Sequence, residues 1–106
     1  MVTHTIFFAF PDEMSEADRA EFFREGTRMA LDSGLVVSYE HRVAIPLPTH
    51  VTPAFVPSAM AQARYADVES LRKYLVHPPV AEFVQRWRGR FPYRAVSVNT
   101  DDFATP

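Results

Sequence analysis

Residues Tyr74 to Phe83 read YLVHPPVAEF, and the fold turns on how this stretch is taken. A helical pattern, VESLRKYLV (68–76), enters it behind the capping residue Asp67. A second pattern, PVAEFVQRWRGR, leaves it with Val80, Phe83, Val84 and Trp87 on one stripe. Pro78 and Pro79 cannot continue the first helix, since proline has no N–H and its ring crowds the preceding turn. A proline does suit the first turn of the second helix. His77 is therefore expected to cap or brace the break. Tyr74 either shows its hydroxyl to water or donates it into a cavity.

Outward from this joint, the N-terminal residues VTHTIFFAF (2–10) form a strand that stops at Pro11. One face carries His4, Ile6, Phe8 and Phe10, and the other Thr5, Phe7 and Ala9. Both faces are apolar, so both need cover. Ser15 followed by Asp18 resembles a capping box and predicts a helix to Ser33, with Ala20, Phe23, Thr27, Ala30 and Leu31 on its stripe. Gly26 in its middle costs about 1 kcal/mol against Ala. Close packing and room for a ligand both account for it.

Gly34 closes that helix. LVVSYEHRVAI (35–45) predicts a second strand, with Tyr39, His41 and Val43 on one face. Prolines at 46, 48, 53 and 57 then exclude regular structure, and a loop of that length often serves as a lid or binding loop. AMAQARYA (59–66) predicts a third strand whose Ala59, Ala61 and Ala63 leave space beneath the helices. YRAVSVNT (93–100) predicts a fourth, with Arg94, Val96 and Val98 on one face.

The order β-α-β-β-α-α-β predicts an α+β fold: one antiparallel four-stranded sheet with helices on a single face. The bare face would expose Phe7 and its neighbours, more apolar surface than a monomer tolerates. A homodimer through that sheet face is expected. At 106 residues the chain suffices for a single domain, 1–106.

Composition narrows the function. A net charge of −2 without a basic stripe argues against nucleic acid. No apolar run approaches ~18 residues, so no membrane partner is expected, and the N-terminus lacks signal-peptide features. The absence of cysteine rules out disulfides and thiolate chemistry and fits a cytoplasmic protein. His4, His41, His50 and His77 show no metal-ligand spacing, and no phosphate loop is present. No metal and no cofactor are expected.

THTIFFAF with its early His, EFF in the first helix and above all YLVHPPVAEF resemble the stress-responsive A/B barrel (Dabb) family over nearly the whole chain. Members show an aromatic residue, then His-Pro, commonly a second His, then Phe. Tyr74, His77, Pro78 and Phe83 match, while Val80 stands at the second His. The resemblance implies a ferredoxin-like sheet and a dimeric α+β barrel. It implies kinship with plant polyketide cyclases (olivetolic acid type), hydroxynitrile lyases and stress-related oligomers. In the cyclases the second His and the Tyr, helped by the first-strand His, work in a cavity between sheet and helices. Here His4 and Tyr74 are retained, the base position is Val80, and another polar position is Ala59.

The residues thus support a cofactor-independent enzyme for cyclisation, isomerisation or lyase cleavage beside a carbonyl of a small aromatic or polyketide-like molecule. His41 or His4 is the expected base and Tyr74 the donor to a developing oxyanion. Phe8, Phe23, Tyr39, Ala61, Val80 and Phe83 would form the apolar wall. Arg94 would hold an acidic group if its face is inward, or lie exposed at a strand start. His50 is expected to be a solvated loop residue. The alternative is a non-catalytic ligand-binding or stress-linked dimer with a filled interior. A third reading is a cofactor-free monooxygenase, which shares the barrel although its motifs are not matched. Catalysis calls for a cavity of ~300 Å³ or more opening onto His4, Tyr74 and either His41 or Arg94.

Overall fold

The computed structural model describes residues 1–47 and 54–102. Seven elements follow in the expected order: β1 (Val2–Ala9), α1 (Glu16–Asp32), β2 (Ser38–Val43), β3 (Ala59–Tyr65), α2 (Val68–Leu75), α3 (Pro78–Arg90) and β4 (Arg94–Asp101). Local chemistry sets their ends. The Ser15 and Asp67 side chains accept from the backbone N–H groups of Asp18 and Ser70, capping α1 and α2. Gly34, at φ +73°, turns the chain out of α1. That exit occupies Leu35 to Val37, so β2 starts three residues later than the apolar pattern suggests.

At the α2–α3 joint, Pro78 and Pro79 occupy the first turn of α3. His77 is the N-cap, but its side chain makes no cap bond. Its backbone does the joining: its N–H donates to Tyr74 O at 3.0 Å, and its carbonyl accepts from Val80 N at 3.0 Å. The break is therefore backbone architecture.

The sheet runs β2-β3-β1-β4, with every neighbouring pair antiparallel. Alternation and register sort its faces. Toward the helices, His4 lies between Ala63 and Asn99, Ile6 between Ala61 and Ser97, and Phe8 between Ala59 and Ala95. Tyr39, His41 and Val43 share that face opposite the three alanines. The other face carries Thr5, Phe7, Met60, Gln62, Val96 and Val98, with no described helix over it, and both valines are about half exposed (50% and 49%).

Two buried clusters fill the space between sheet and helices. One gathers Phe8, Phe10, Phe22, Phe23, Phe83, Trp87 and Tyr93 with Ala59 and Ala61. Its rings meet mostly edge to face, as for Phe8 on Phe23 (5.5 Å) and Phe22 on Trp87 (5.4 Å), each such pair adding ~0.5–1.5 kcal/mol to its burial. The second gathers Val2, Ala30, Ala63, Tyr65, Leu71 and Tyr74.

The buried stripe of α1 differs from the expected one. Phe22, Phe23, Gly26 and Ala30 are buried, Ala20 is exposed, and Leu31 is 51% exposed. The helix serves two surfaces at once: Phe23 meets the sheet while Phe22 meets Phe83 and Trp87 of α3. The Trp87 Nε1–H donates to Glu25 at 2.7 Å and holds the two helices in that relation.

Candidate active site

The two clusters leave a gap where they meet. Above His4 and Ile6 at the middle of β1, α1 presents Gly26 and β3 presents Ala63, so two opposed walls lack side-chain volume. The result is a cavity of about 210 Å³ between sheet and helices. A Cβ at Gly26 would stand 3.5 Å from Phe83 Cζ and 3.7 Å from Tyr39 Oη, ordinary contacts, so the glycine leaves room without being forced by packing.

His4 is the cavity's imidazole and is 7% exposed. Its Nδ1 lies 2.5 Å from Asn99 Oδ1 on β4. With the amide oxygen as acceptor, Nδ1 carries the proton and Nε2 keeps its lone pair. Asn99 reaches His4 because the two are cross-strand partners.

The chain's four tyrosines, Tyr39, Tyr65, Tyr74 and Tyr93, all line this cavity. Burial pushes the Tyr74 phenol up to about 12. Burial is also the main cause of the raised values of Tyr39 and Tyr65, reinforced by neighbouring phenols. Tyr93 is raised by burial, against an opposing pull from the Arg88 guanidinium over its ring. These phenols remain protonated near neutrality, so they donate hydrogen bonds. Tyr65 is fully buried, and among the described residues its hydroxyl has no hydrogen-bond partner. Among the described residues, the cavity wall contains no Lys, Arg, Asp or Glu.

Of the residues singled out in the sequence, His4, Phe8, Tyr39, Tyr74, Val80 and Phe83 converge on the cavity. Four do not. His41 is exposed and stacks on Phe23, ring centroids 4.2 Å apart and planes at 1°, beside a separate groove with Glu16 and Arg19. Partial burial, then the charge of Arg42, lowers its pKa. Phe23 lies between His41 and Phe8 as a core residue. Ala61 is buried within the aromatic cluster, so the space under Ala59 and Ala61 belongs to packed rings and only Ala63 borders the cavity. Arg94 lies exposed on the opposite face of the sheet, its guanidinium 5.2 Å from the Phe55 ring. It anchors nothing in the cavity, because β4 turns Ala95, Ser97 and Asn99 inward instead. The cavity is also smaller than the ~300 Å³ expected for catalysis, and neither His41 nor Arg94 opens into it, so of the expected set only His4 and Tyr74 are met. His50 and the centre of the proline-rich segment lie outside the described residues.

Asn99, Tyr65 and Tyr93 are the additions. Tyr65 was legible as the fourth member of the alanine face. Asn99 depended on the β1–β4 register, which no local pattern encodes. Among the described residues, no group of three or more His, Cys, Asp or Glu could hold a metal, and no helix is long and apolar enough to cross a membrane.

This architecture is α+β with the ferredoxin-like arrangement, which a solved Dabb family protein shares. Solved structures place it more closely. A Dabb family protein from Mesorhizobium loti matches with TM-score 0.73 at 17% identity, covering 97% of each chain. Hydroxynitrile lyase from Passiflora edulis matches at 0.79 and 13%, covering 98% of this chain and 94% of that one. A cofactor-independent oxygenase from Streptomyces nogalater matches at 0.72 and 14%, with coverage of 98% and 94%. A dimeric ferredoxin-like protein from Thermobifida fusca matches at 0.71 and 13%, with coverage of 94% and 89%. At these identities the likeness is one of fold. No family profile and no curated relative matches the sequence.

Proposed function

We propose that the chain is a cofactor-independent, cytoplasmic enzyme that moves a proton beside a carbonyl of a small aromatic molecule, as a cyclase, isomerase or lyase does. The observation that carries this reading is His4, paired with Asn99, in the wall of a cavity whose other described ionisable groups are all phenols. His4 Nε2 takes the proton. Asn99 holds the ring in the tautomer that leaves Nε2 free and accepts the Nδ1 proton more firmly as the imidazole charges. Tyr74, protonated up to about pH 12, donates to the oxygen on which charge develops. Assigning the base to His4 rather than His41 follows from their placement, since His41 lies outside the cavity. The reading is supported by the fold's occurrence in a hydroxynitrile lyase and in a cofactor-independent oxygenase.

The working unit in this proposal is a homodimer through the bare sheet face. Phe7, Met60, Val96 and Val98 supply its apolar surface, and the matched Thermobifida fusca protein is itself dimeric. That interface and the cavity lie on opposite faces of the sheet, so each protomer keeps its own site.

The test needs no physiological substrate. An aryl ketone such as acetophenone in D2O, followed by proton NMR, should lose its methyl signal faster with protein than without. His4→Ala should cut the protein-dependent rate by ~100-fold or more, and Asn99→Ala by less. Exchange indifferent to His4 would remove the base assignment. A ligand-binding dimer is the second reading, favoured by the apolar Val80 in the cavity wall. It predicts acetophenone binding with no exchange.

A further inference from the structure

We infer a second binding site, in the groove lined by Arg88 and Arg94, for a small molecule that carries a carboxylate or phosphate on an aromatic body. Tyr93 borders both this groove and the His4 cavity, which share no other lining residue. Binding here requires no proton transfer there.

The charge comes from one stretch of sequence. RWRGRFPYR (86–94) holds four arginines and no acidic residue, in a chain whose net charge is −2. Two of the four join α3 to α1, Arg86 on Glu25 at 2.8 Å and Arg90 on Asp18 at 3.4 Å. Arg88 and Arg94 have no ion-pair partner among the described residues, which include every Asp and Glu side chain of the chain. The carbonyl end of α3 accounts for a cation at Arg88, because the helix dipole favours one there. It does not account for Arg94, which opens β4.

The fold then brings these two to one place. Arg88, Arg94 and Val96, with Phe55, Pro92 and Tyr93, line a groove of about 490 Å³. No acidic side chain is among its described lining residues. Each guanidinium lies over an aromatic ring, Arg88 at 5.0 Å from the Tyr93 centroid and Arg94 at 5.2 Å from that of Phe55. A guanidinium held by its face keeps its N–H edge for paired hydrogen bonds to a carboxylate or phosphate. Phe55, Pro92 and Val96 supply apolar surface for the body of the ligand. The acid-holding role expected of Arg94 is thus met on the far side of the sheet from His4. Of the apolar residues assigned to the homodimer, the groove includes Val96 alone.

Isothermal titration of the full-length protein with 2-naphthoate, 2-naphthyl phosphate and the neutral 2-acetylnaphthalene tests the site. The anions should bind ~10-fold or more tightly than the ketone, the worth of hydrogen bonds to a charged group. Their affinity should fall as NaCl is raised, since exposed charges are screened. The tighter anion identifies the oxyanion. Arg88→Gln and Arg94→Gln should each weaken the anions by ~3–10-fold and leave the ketone unchanged. Arg72→Gln removes the same charge from an exposed position outside the groove and should change nothing. His4→Ala should also leave anion binding intact. Thermal melts check each fold, and the substituted arginines are all exposed. Equal affinity for anions and ketone, an Arg72→Gln effect as large as those in the groove, or no anion binding would each overturn the inference. Anion binding lost with His4→Ala would overturn it too, by placing the anion in the other cavity. Anion binding that depends on both groove arginines, in a protein without deuterium exchange, would sustain it and remove only the proton-transfer reading.

Discussion

His4 shows how one residue's role depends on its neighbours. On β1 alone it is a polar side chain among Ile6 and Phe8; opposite Asn99 it becomes an imidazole of defined tautomer. The tyrosines carry a consequence for stability. An unfolded phenol ionises near pH 10, whereas burial raises Tyr74 to about 12 and raises Tyr39 and Tyr65 as well. Above pH ~10 the unfolded chain therefore binds fewer protons than the native one, and linkage makes stability fall as pH rises. This contribution is complete below pH ~10 and is lost as pH climbs through the folded values. Urea midpoints at pH ~8 and pH ~11 should show the loss, and a Tyr65→Phe, Tyr74→Phe double variant should lose less. Parallel pH dependence in the two proteins would place the alkaline transition elsewhere.

Among the elements, α1 was correctly read as a helix but with its stripe misplaced. Periodicity locates the apolar residues of EFF; it does not say that α3 will take Phe22 while the sheet takes Phe23. Gly26 sits between these surfaces. Gly26→Ala should stabilise the protein by up to about 1 kcal/mol, the helix-propensity difference, because the added methyl meets only ordinary contacts. The same methyl borders the cavity beside Phe83 and Tyr39 and should weaken acetophenone binding. A melt and a titration on one preparation check both. A destabilised variant would mean that the helix, rather than the cavity, requires glycine there. The YLVHPPVAEF joint was the more legible element, since proline geometry is local and acts through the backbone whatever packs on it.

For the whole molecule, the open face of the sheet is the deciding feature. Phe7 near its centre, with Val96 and Val98 half exposed on β4, forms an apolar surface with no described element over it. Val98→Lys should shift the protein toward monomer in sedimentation velocity while its cavity, on the opposite face, still binds acetophenone. A wild-type protein that sediments as a monomer at micromolar concentration would end the homodimer proposal.

Periodicity, proline placement and caps are properties of neighbouring residues, so the sequence by itself determined the seven elements, their order, the α+β class and the bare apolar face. It also marked Tyr39 and Phe83, which strand alternation and a helix stripe assign to a face, and His4 and Tyr74, which the family resemblance retains. Tertiary structure alone decided which residues of that face share a cavity. Cross-strand register brought Asn99 to His4 and turned Arg94 away, and the seating of α1 between sheet and α3 put Gly26 on the cavity that Ala63 also borders. Register and seating are set by contacts between residues far apart in the chain, and no local pattern contains them.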